Sequence, residues 1–193
     1  GRETMRFCDL RHFLVLLSLG LASPGMAAVP PAPKLPADAY FLMDAATGQV
    51  LVDYQGDLSL PPASLTKIMT SYVLAEEVDS ARVSLDDIIT VSRNAWSQNP
   101  TFQGSSLMWI EPGKPVSLAD LERGVVISSG NDASVAVAEH LAGTESSFVD
   151  VMNQIAADLG LDKTTYRNPH GLPHPEHRTT ARALAKLPVA LSN

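Results

Sequence analysis

Proline decides where this chain cannot be helical, and its 14 prolines divide 193 residues into a few stretches where helix is permitted. Inside a helix, proline removes a backbone hydrogen bond and its ring collides with the preceding turn. The block Val29-Pro-Pro-Ala-Pro-Lys-Leu-Pro-Ala-Asp38 excludes both helix and central strand and reads as a lead-in. A domain is therefore expected to start near Ala39 and to occupy residues 39–193. Pro61-Pro62 stand just before the next permitted helix, as prolines at a helix start do. Asn168 to Glu176 hold three prolines and Gly171 and are expected to be loop, and the last short helix is expected to break at Pro188.

Between these marks the hydrophobic spacing sets the elements. Tyr40-Phe-Leu-Met43 and Gln49-Val-Leu-Val-Asp-Tyr54 have strand composition, and the intervening Asp44-Ala-Ala-Thr-Gly48 predicts a hairpin. Ser64 to Val78 predicts a helix with Leu65, Ile68, Met69, Tyr72 and Val73 at helical spacing. A second helix is expected to open at Ser117, with Asp120 reaching back to the cap and Leu118, Leu121 and Val125 as its stripe, and to stop at Ser128-Ser129-Gly130. Asn131 is expected to cap a helix over Asp132–Ala142, closed by Gly143. Thr144 caps another, with Phe148, Val151, Met152, Ile155 and Leu159 on one face before Gly160. Thr179 or Thr180 caps the last. The fold class expected is mixed α/β, helix-rich in this portion.

The first 28 residues have a different character. From Met5, a basic region with Arg6 and Arg11 precedes the apolar run Phe13–Ala22 and then Ser23-Pro-Gly-Met-Ala-Ala28. That order predicts a secretory signal peptide cleaved after Ala27 or Ala28, with Gly1–Thr4 as an upstream extension. The apolar run is too short for a spanning helix, which needs roughly 20 residues. The only cysteine, Cys8, lies inside this leader and ahead of the apolar run, so a mature chain in an oxidising compartment has no disulfide to form and no lipoprotein anchor is indicated. An exported protein of the periplasm or cell envelope is expected. The formal charge of −7 opposes binding to phosphate backbones and argues against nucleic acid as a partner.

Ser64-Leu-Thr-Lys67 places a hydroxyl and an amine three residues apart, hence on one face of a helix. A serine alcohol needs a neighbouring base to become a nucleophile, and a lysine serves as that base when burial keeps part of it neutral. A helix start also aims backbone N–H groups at a developing oxyanion. By itself this spacing equally describes a cap and a solvated lysine. Ser129-Gly130-Asn131, 65 residues later at a break between predicted helices, adds two polar side chains able to project into one cleft.

S-x-x-K followed by a Ser-x-Asn element belongs to the penicillin-binding proteins and class A β-lactamases. Pro62-Ala-Ser-Leu-Thr-Lys-Ile-Met-Thr70, Gly104-Ser-Ser-Leu-Met108, Ser129-Gly-Asn-Asp-Ala133 and Asn168-Pro-His-Gly-Leu172, in this order, resemble the low-molecular-mass serine-type D-alanyl-D-alanine carboxypeptidases from about Ala39 to Ala185. The resemblance implies a penicillin-binding, acyl-serine transferase domain that removes the terminal D-alanine from peptidoglycan stem pentapeptides. It implies Ser64 as nucleophile, Lys67 as acylation base, Ser129 in the proton path, and Asn131, Gly130 and His170 at the substrate. No cofactor and no metal are implied, and β-lactams are the expected inhibitors. Gly130 stands where class A β-lactamases have Asp and no Glu-x-x-Leu-Asn follows, which favours carboxypeptidase over β-lactamase. The same motifs also admit a D,D-endopeptidase of the same superfamily or an inactive peptidoglycan-binding fragment.

None of the five lysines, Lys34, Lys67, Lys114, Lys163 and Lys186, begins a Lys-Thr-Gly or Lys-Ser-Gly. The family's third motif lies on a late strand, so the expectation is a catalytic domain truncated before it, its two N-terminal strands lacking sheet partners. Any membrane association would come through a C-terminal segment beyond these residues. His170, His174 and His177 with Glu176 have zinc-ligand chemistry, but Pro169, Gly171, Pro173 and Pro175 deny them a helix; His174 and His177 are expected to be solvated. Trp96, Trp109 and Phe102 are expected in the core rather than on a glycan-stacking surface. Glu76-Glu77 and Asp86-Asp87, as neighbours on helices, point to different faces and read as solvated surface.

Overall fold

The computed structural model describes residues 31–191, so the signal-peptide expectation lies outside the described residues. Residues 31–35 are exposed and carry no regular structure. From Pro36 onward the chain forms a single unit. Strands β1 (Tyr40–Met43) and β2 (Val50–Tyr54) pair antiparallel as Tyr40↔Tyr54, Phe41↔Asp53 and Leu42↔Val52, with a bulge before Met43↔Val50. Asp44 closes the hairpin by accepting from the Thr47 N–H and hydroxyl, each at 2.7 Å. Leu42, Val50, Leu51 and Tyr54 are exposed on this two-stranded sheet.

A 3-10 turn (Ala63–Leu65) leads into α1 (Thr66–Asp79), and β3 (Ile88–Thr90) pairs antiparallel with β4 (Pro115–Ser117). Sequence spacing did not reveal β3 and β4, because three residues are too few to display alternation. They place Asp86-Asp87 in the turn entering β3, not on a helix. Helices α2 (Leu118–Val126), α3 (Asn131–Ala142), α4 (Glu145–Asp158) and α5 (Ala181–Leu191) follow. Ser117 accepts from the Asp120 N–H at 3.1 Å, as its cap role requires, but the Asp120 carboxylate turns to Arg123 at 2.8 Å instead of reaching back. Helix α5 runs through Pro188 instead of breaking there.

Two apolar clusters share α1 and α3. Leu74 of α1 joins Phe102, Leu118, Leu121, Val125, Val135 and Val137, while Met69 and Val73 join Phe148, Met152, Tyr166 and Leu187. Helix α3 is buried from Asn131 through Ala138, so it has no solvent side over its first two turns. On α4 the buried residues are Phe148, Val149, Met152 and Ala156, and Val151 faces outward. On α1 the expected stripe is buried at Met69, Tyr72 and Val73, but Leu65, in the turn before the helix, is exposed, and the polar Thr66, Lys67 and Thr70 are buried as well. These polar residues serve as anchor points for the loop 168–177.

Candidate active site

Ser64 lies in the 3-10 turn, exposed to solvent, and Lys67 in the first turn of α1 is only 6% exposed. Ala63 (φ 48), beside Ser64, and Ser129 (φ 52), which lines the same cavity as Ser64, hold left-handed backbone conformations. Strain of this kind, of order 1–3 kcal/mol per residue, collects where a structure serves something other than its own stability. Lys67 Nζ donates to Asn131 Oδ1 at 2.7 Å and to the His170 carbonyl at 2.8 Å, and stands 3.5 Å from Ser64 Oγ. Burial lowers its pKa to about 8 against the opposing pull of Asp132. A neutral amine has two N–H groups and one lone pair. With both N–H groups committed to Asn131 and His170, the lone pair is left for the Ser64 hydroxyl.

Asn131 therefore does not cap α3. Gly130 occupies the cap position, and the Asn131 carboxamide is drawn inward to Lys67. Its neighbour Asp132, fully buried, gathers backbone N–H groups: Met108 (2.8 Å) and Ala133 (2.9 Å) on one oxygen, Trp109 (2.9 Å) and Ile110 (3.2 Å) on the other. Sequence reasoning missed this residue. Its signal was a carboxylate opening a stretch of small and apolar residues, Ala133-Ser-Val-Ala-Val-Ala138, where a charge taken into the interior must find donors. Ser129 lines a cavity of about 380 Å³ together with Ser64, Lys67, Ile68, Ser71, Val125, Val126 and Pro188. The Ser129 hydroxyl makes no hydrogen bond among the described residues. Gly130 is buried, and a β-carbon added there would lie 3.1 Å from the Met108 backbone nitrogen and 3.2 Å from the Ala133 β-carbon.

The loop 168–177 is bound to α1 by buried polar contacts. Thr70 donates to the Pro169 carbonyl at 2.6 Å, Lys67 to that of His170, and Thr66 Oγ1 meets His177 Nε2 at 2.8 Å. Asn168 folds the loop by accepting from the N–H of His170 (3.3 Å) and Gly171 (2.6 Å). His170 thus reaches the site through its carbonyl. Its ring packs edge-on against Phe102 and lies 3.6 Å from Glu145, whose carboxyl it holds below the usual value.

His177 is 2% exposed, not solvated, while His174 is exposed. His177 Nδ1 accepts from the Arg167 N–H at 3.1 Å, which leaves Nε2 carrying the proton given to Thr66. Both ring nitrogens are thereby used, so His177→Ala is expected to leave zinc affinity in a titration unchanged. Burial above all, with the Arg167 guanidinium nearby, lowers the His177 pKa to about 4. Between pH 6.5 and 4 the unfolded chain binds this proton and the native one does not. Stability is then full above 6.5 and falls by ~3 kcal/mol on the way to 4. Urea midpoints at several pH values test this, and a slope just as steep in His177→Gln counts against it.

The remaining sequence candidates separate. Phe102 is buried and Trp96 partly so, but Trp109 is 72% exposed, contrary to the core expectation. Its backbone is pinned by Asp132 with the indole directed outward. Glu77 pairs with Arg82 at 2.6 Å, and Asp87 accepts from the Ser84 N–H at 3.0 Å and lies 3.4 Å from His140; none of these carboxylates borders the Ser64 cavity.

A family model described as D-alanyl-D-alanine carboxypeptidase, peptidase S11, matches residues 26–193. The chain is 48% identical to D-alanyl-D-alanine carboxypeptidase DacC of Escherichia coli (strain K12) over 161 residues, 83% of this chain and 40% of that protein. Its fold is similar to penicillin binding protein 6B from Escherichia coli, with TM-score 0.82 and 43% identity, covering 88% of this chain and 54% of that one. Penicillin binding protein 5 from Haemophilus influenzae gives TM-score 0.82 and 38% identity over 85% and 47%. The chain spans about two fifths to one half of the proteins it matches.

Proposed function

The chain belongs to the D-alanyl-D-alanine carboxypeptidase family, peptidase S11, with the penicillin-binding-protein fold, and from that premise we propose that Ser64 is the acylated nucleophile of a peptidoglycan carboxypeptidase. In the first half-reaction Ser64 Oγ attacks the carbonyl of the penultimate D-alanine and gives its proton to Lys67. The tetrahedral intermediate expels the terminal D-alanine as an amine, protonated through Ser129. Water then hydrolyses the ester and restores Ser64. Asn131 and Gly130 border the substrate backbone, His170 holds Lys67 in place through its carbonyl, and the Ser64 N–H faces the oxyanion. A β-lactam enters the same path at its strained amide and is held as the acyl-enzyme.

The observation that carries this proposal is the Lys67 amine, buried with both acceptors supplied and Ser64 Oγ 3.5 Å away. Apo contacts of this kind tighten when substrate arrives. The leader composition of residues 5–28 supports export, and peptidoglycan places the substrate in the cell envelope. Among the described residues no helix is long and apolar enough to cross a membrane.

The test is labelled-penicillin trapping with mass mapping of the acylated peptide, together with D-alanine release from diacetyl-Lys-D-Ala-D-Ala. Residues 1–193 contain no Lys-Thr-Gly to hold the substrate carboxylate. Loss of one charge-assisted contact costs about 1.5–3 kcal/mol, so residues 29–193 alone are expected to turn over slowly. A fusion supplying the remainder of a relative is expected to be acylated at Ser64, with all label lost in Ser64→Ala. Label on another residue, or label surviving that substitution, would overturn the assignment.

A further inference from the structure

We infer that the groove bordered by Trp109 is a carbohydrate subsite that takes the N-acetylhexosamine backbone of a glycan strand next to the Ser64 cavity. The groove, about 660 Å³, is lined by Ser97, Gln98, Asn99, Gln103, Ser105 and Trp109 over a floor of Phe102, with no charged side chain among its lining residues. That neutrality is notable on a chain of charge −7. A neutral polyol with acetamido groups fits it: exposed Gln98 and Gln103 offer carboxamides that both donate and accept, and the exposed indole offers a face for sugar C–H groups. The frame is stiff. Asn99 donates to the Asn94 carbonyl at 2.9 Å and accepts from the Thr101 N–H at 3.0 Å, and Ser105 donates to the Phe102 carbonyl at 2.7 Å.

Trp109 is the residue that most needs explaining. A bulky side chain at φ 68 is strained, and the Asp132 carboxylate sustains it by accepting the consecutive N–H groups of Met108, Trp109 and Ile110. The result is an indole held in water, 72% exposed. The segment that lines the groove is tied to the candidate active site: the carbonyl of Ser106, between the lining residues Ser105 and Leu107, accepts from the Asn131 N–H at 2.9 Å, and Asn131 in turn holds Lys67. The choice of a glycan occupant rests on the proposed peptidoglycan substrate, in which stem peptide and glycan are covalently joined.

The probe is chitotetraose, titrated calorimetrically into the full chain. Saturable binding with Kd about 1 mM or tighter is expected. Trp109→Gly removes the indole and relieves the left-handed strain, so it preserves or raises the melting temperature. It is expected to weaken binding about tenfold, while Trp109→Phe stays within about threefold of the unmodified chain. No saturable binding, or equal affinity in Trp109→Gly, overturns the subsite. Labelled-penicillin trapping on the same preparations keeps the two proposals apart: acylation without chitotetraose binding refutes the groove alone, and binding lost in Trp109→Gly supports the groove whether or not Ser64 acylates.

Discussion

Gly171→Ala is expected to abolish acylation at Ser64 and to destabilise the fold by about 2–4 kcal/mol, although residue 171 carries no chemistry. A β-carbon there would lie 1.8 Å from the Ala63 carbonyl oxygen and 2.3 Å from its carbon, at a backbone φ of +93 that alanine rarely adopts. Either the loop 168–177 lifts, pulling the His170 carbonyl off Lys67, or the strap bearing Ala63 and Ser64 moves. Both outcomes separate Ser64 from Lys67. Gly48→Ala is the control: its φ is +72 but nothing lies within 4 Å of the added carbon, so only the conformational penalty of about 1–2 kcal/mol is expected. Melting curves and penicillin trapping in the fusion protein read both effects. Equal behaviour of the two variants would mean that loop and strap are not in contact.

Lys67→Ala should slow acylation by about 10²–10⁴-fold with the fold intact, the range for removal of a general base. Lys67→Arg should not rescue it, since a guanidinium stays charged at any workable pH. In the unmodified site the acylation rate should rise with pH and level off above a midpoint near 8, because burial lowers the amine to about 8. At pH 7 about a tenth of the amine is then neutral, several hundredfold more than at the ordinary lysine value of 10.5. Stopped-flow acylation from pH 6 to 10 checks both. A flat profile, or full activity in Lys67→Arg, would remove Lys67 from the base role.

Much of the fold was legible in the residues alone. The hairpin 40–54, the Thr144 cap, whose hydroxyl accepts from the Ser147 N–H at 3.1 Å, and the proline-bounded loop 168–176 each follow from interactions within a few residues. The Ser64-Lys67 pairing is likewise local, since helical geometry alone puts i and i+3 on one side. Pro188 shows the limit of the same reasoning. Leu187 is fully buried in the second cluster, and packing on its neighbours carries α5 past one missing hydrogen bond.

The sequence by itself determined the order of elements, the helix-rich character and the spacing that brings a hydroxyl beside an amine, because these depend on backbone sterics and period. Only the tertiary structure decided what the polar residues between them do. Asn131 left its cap for Lys67, Asp132 took four backbone N–H groups, His177 went into the interior, and Trp109 came out of it. Apart from the adjacent Ala133 N–H, each depends on partners 22 to 111 residues away, or on a carboxylate that holds a strained backbone in place. A buried polar group must be satisfied by whatever donor or acceptor the fold delivers, and no local pattern specifies which one arrives.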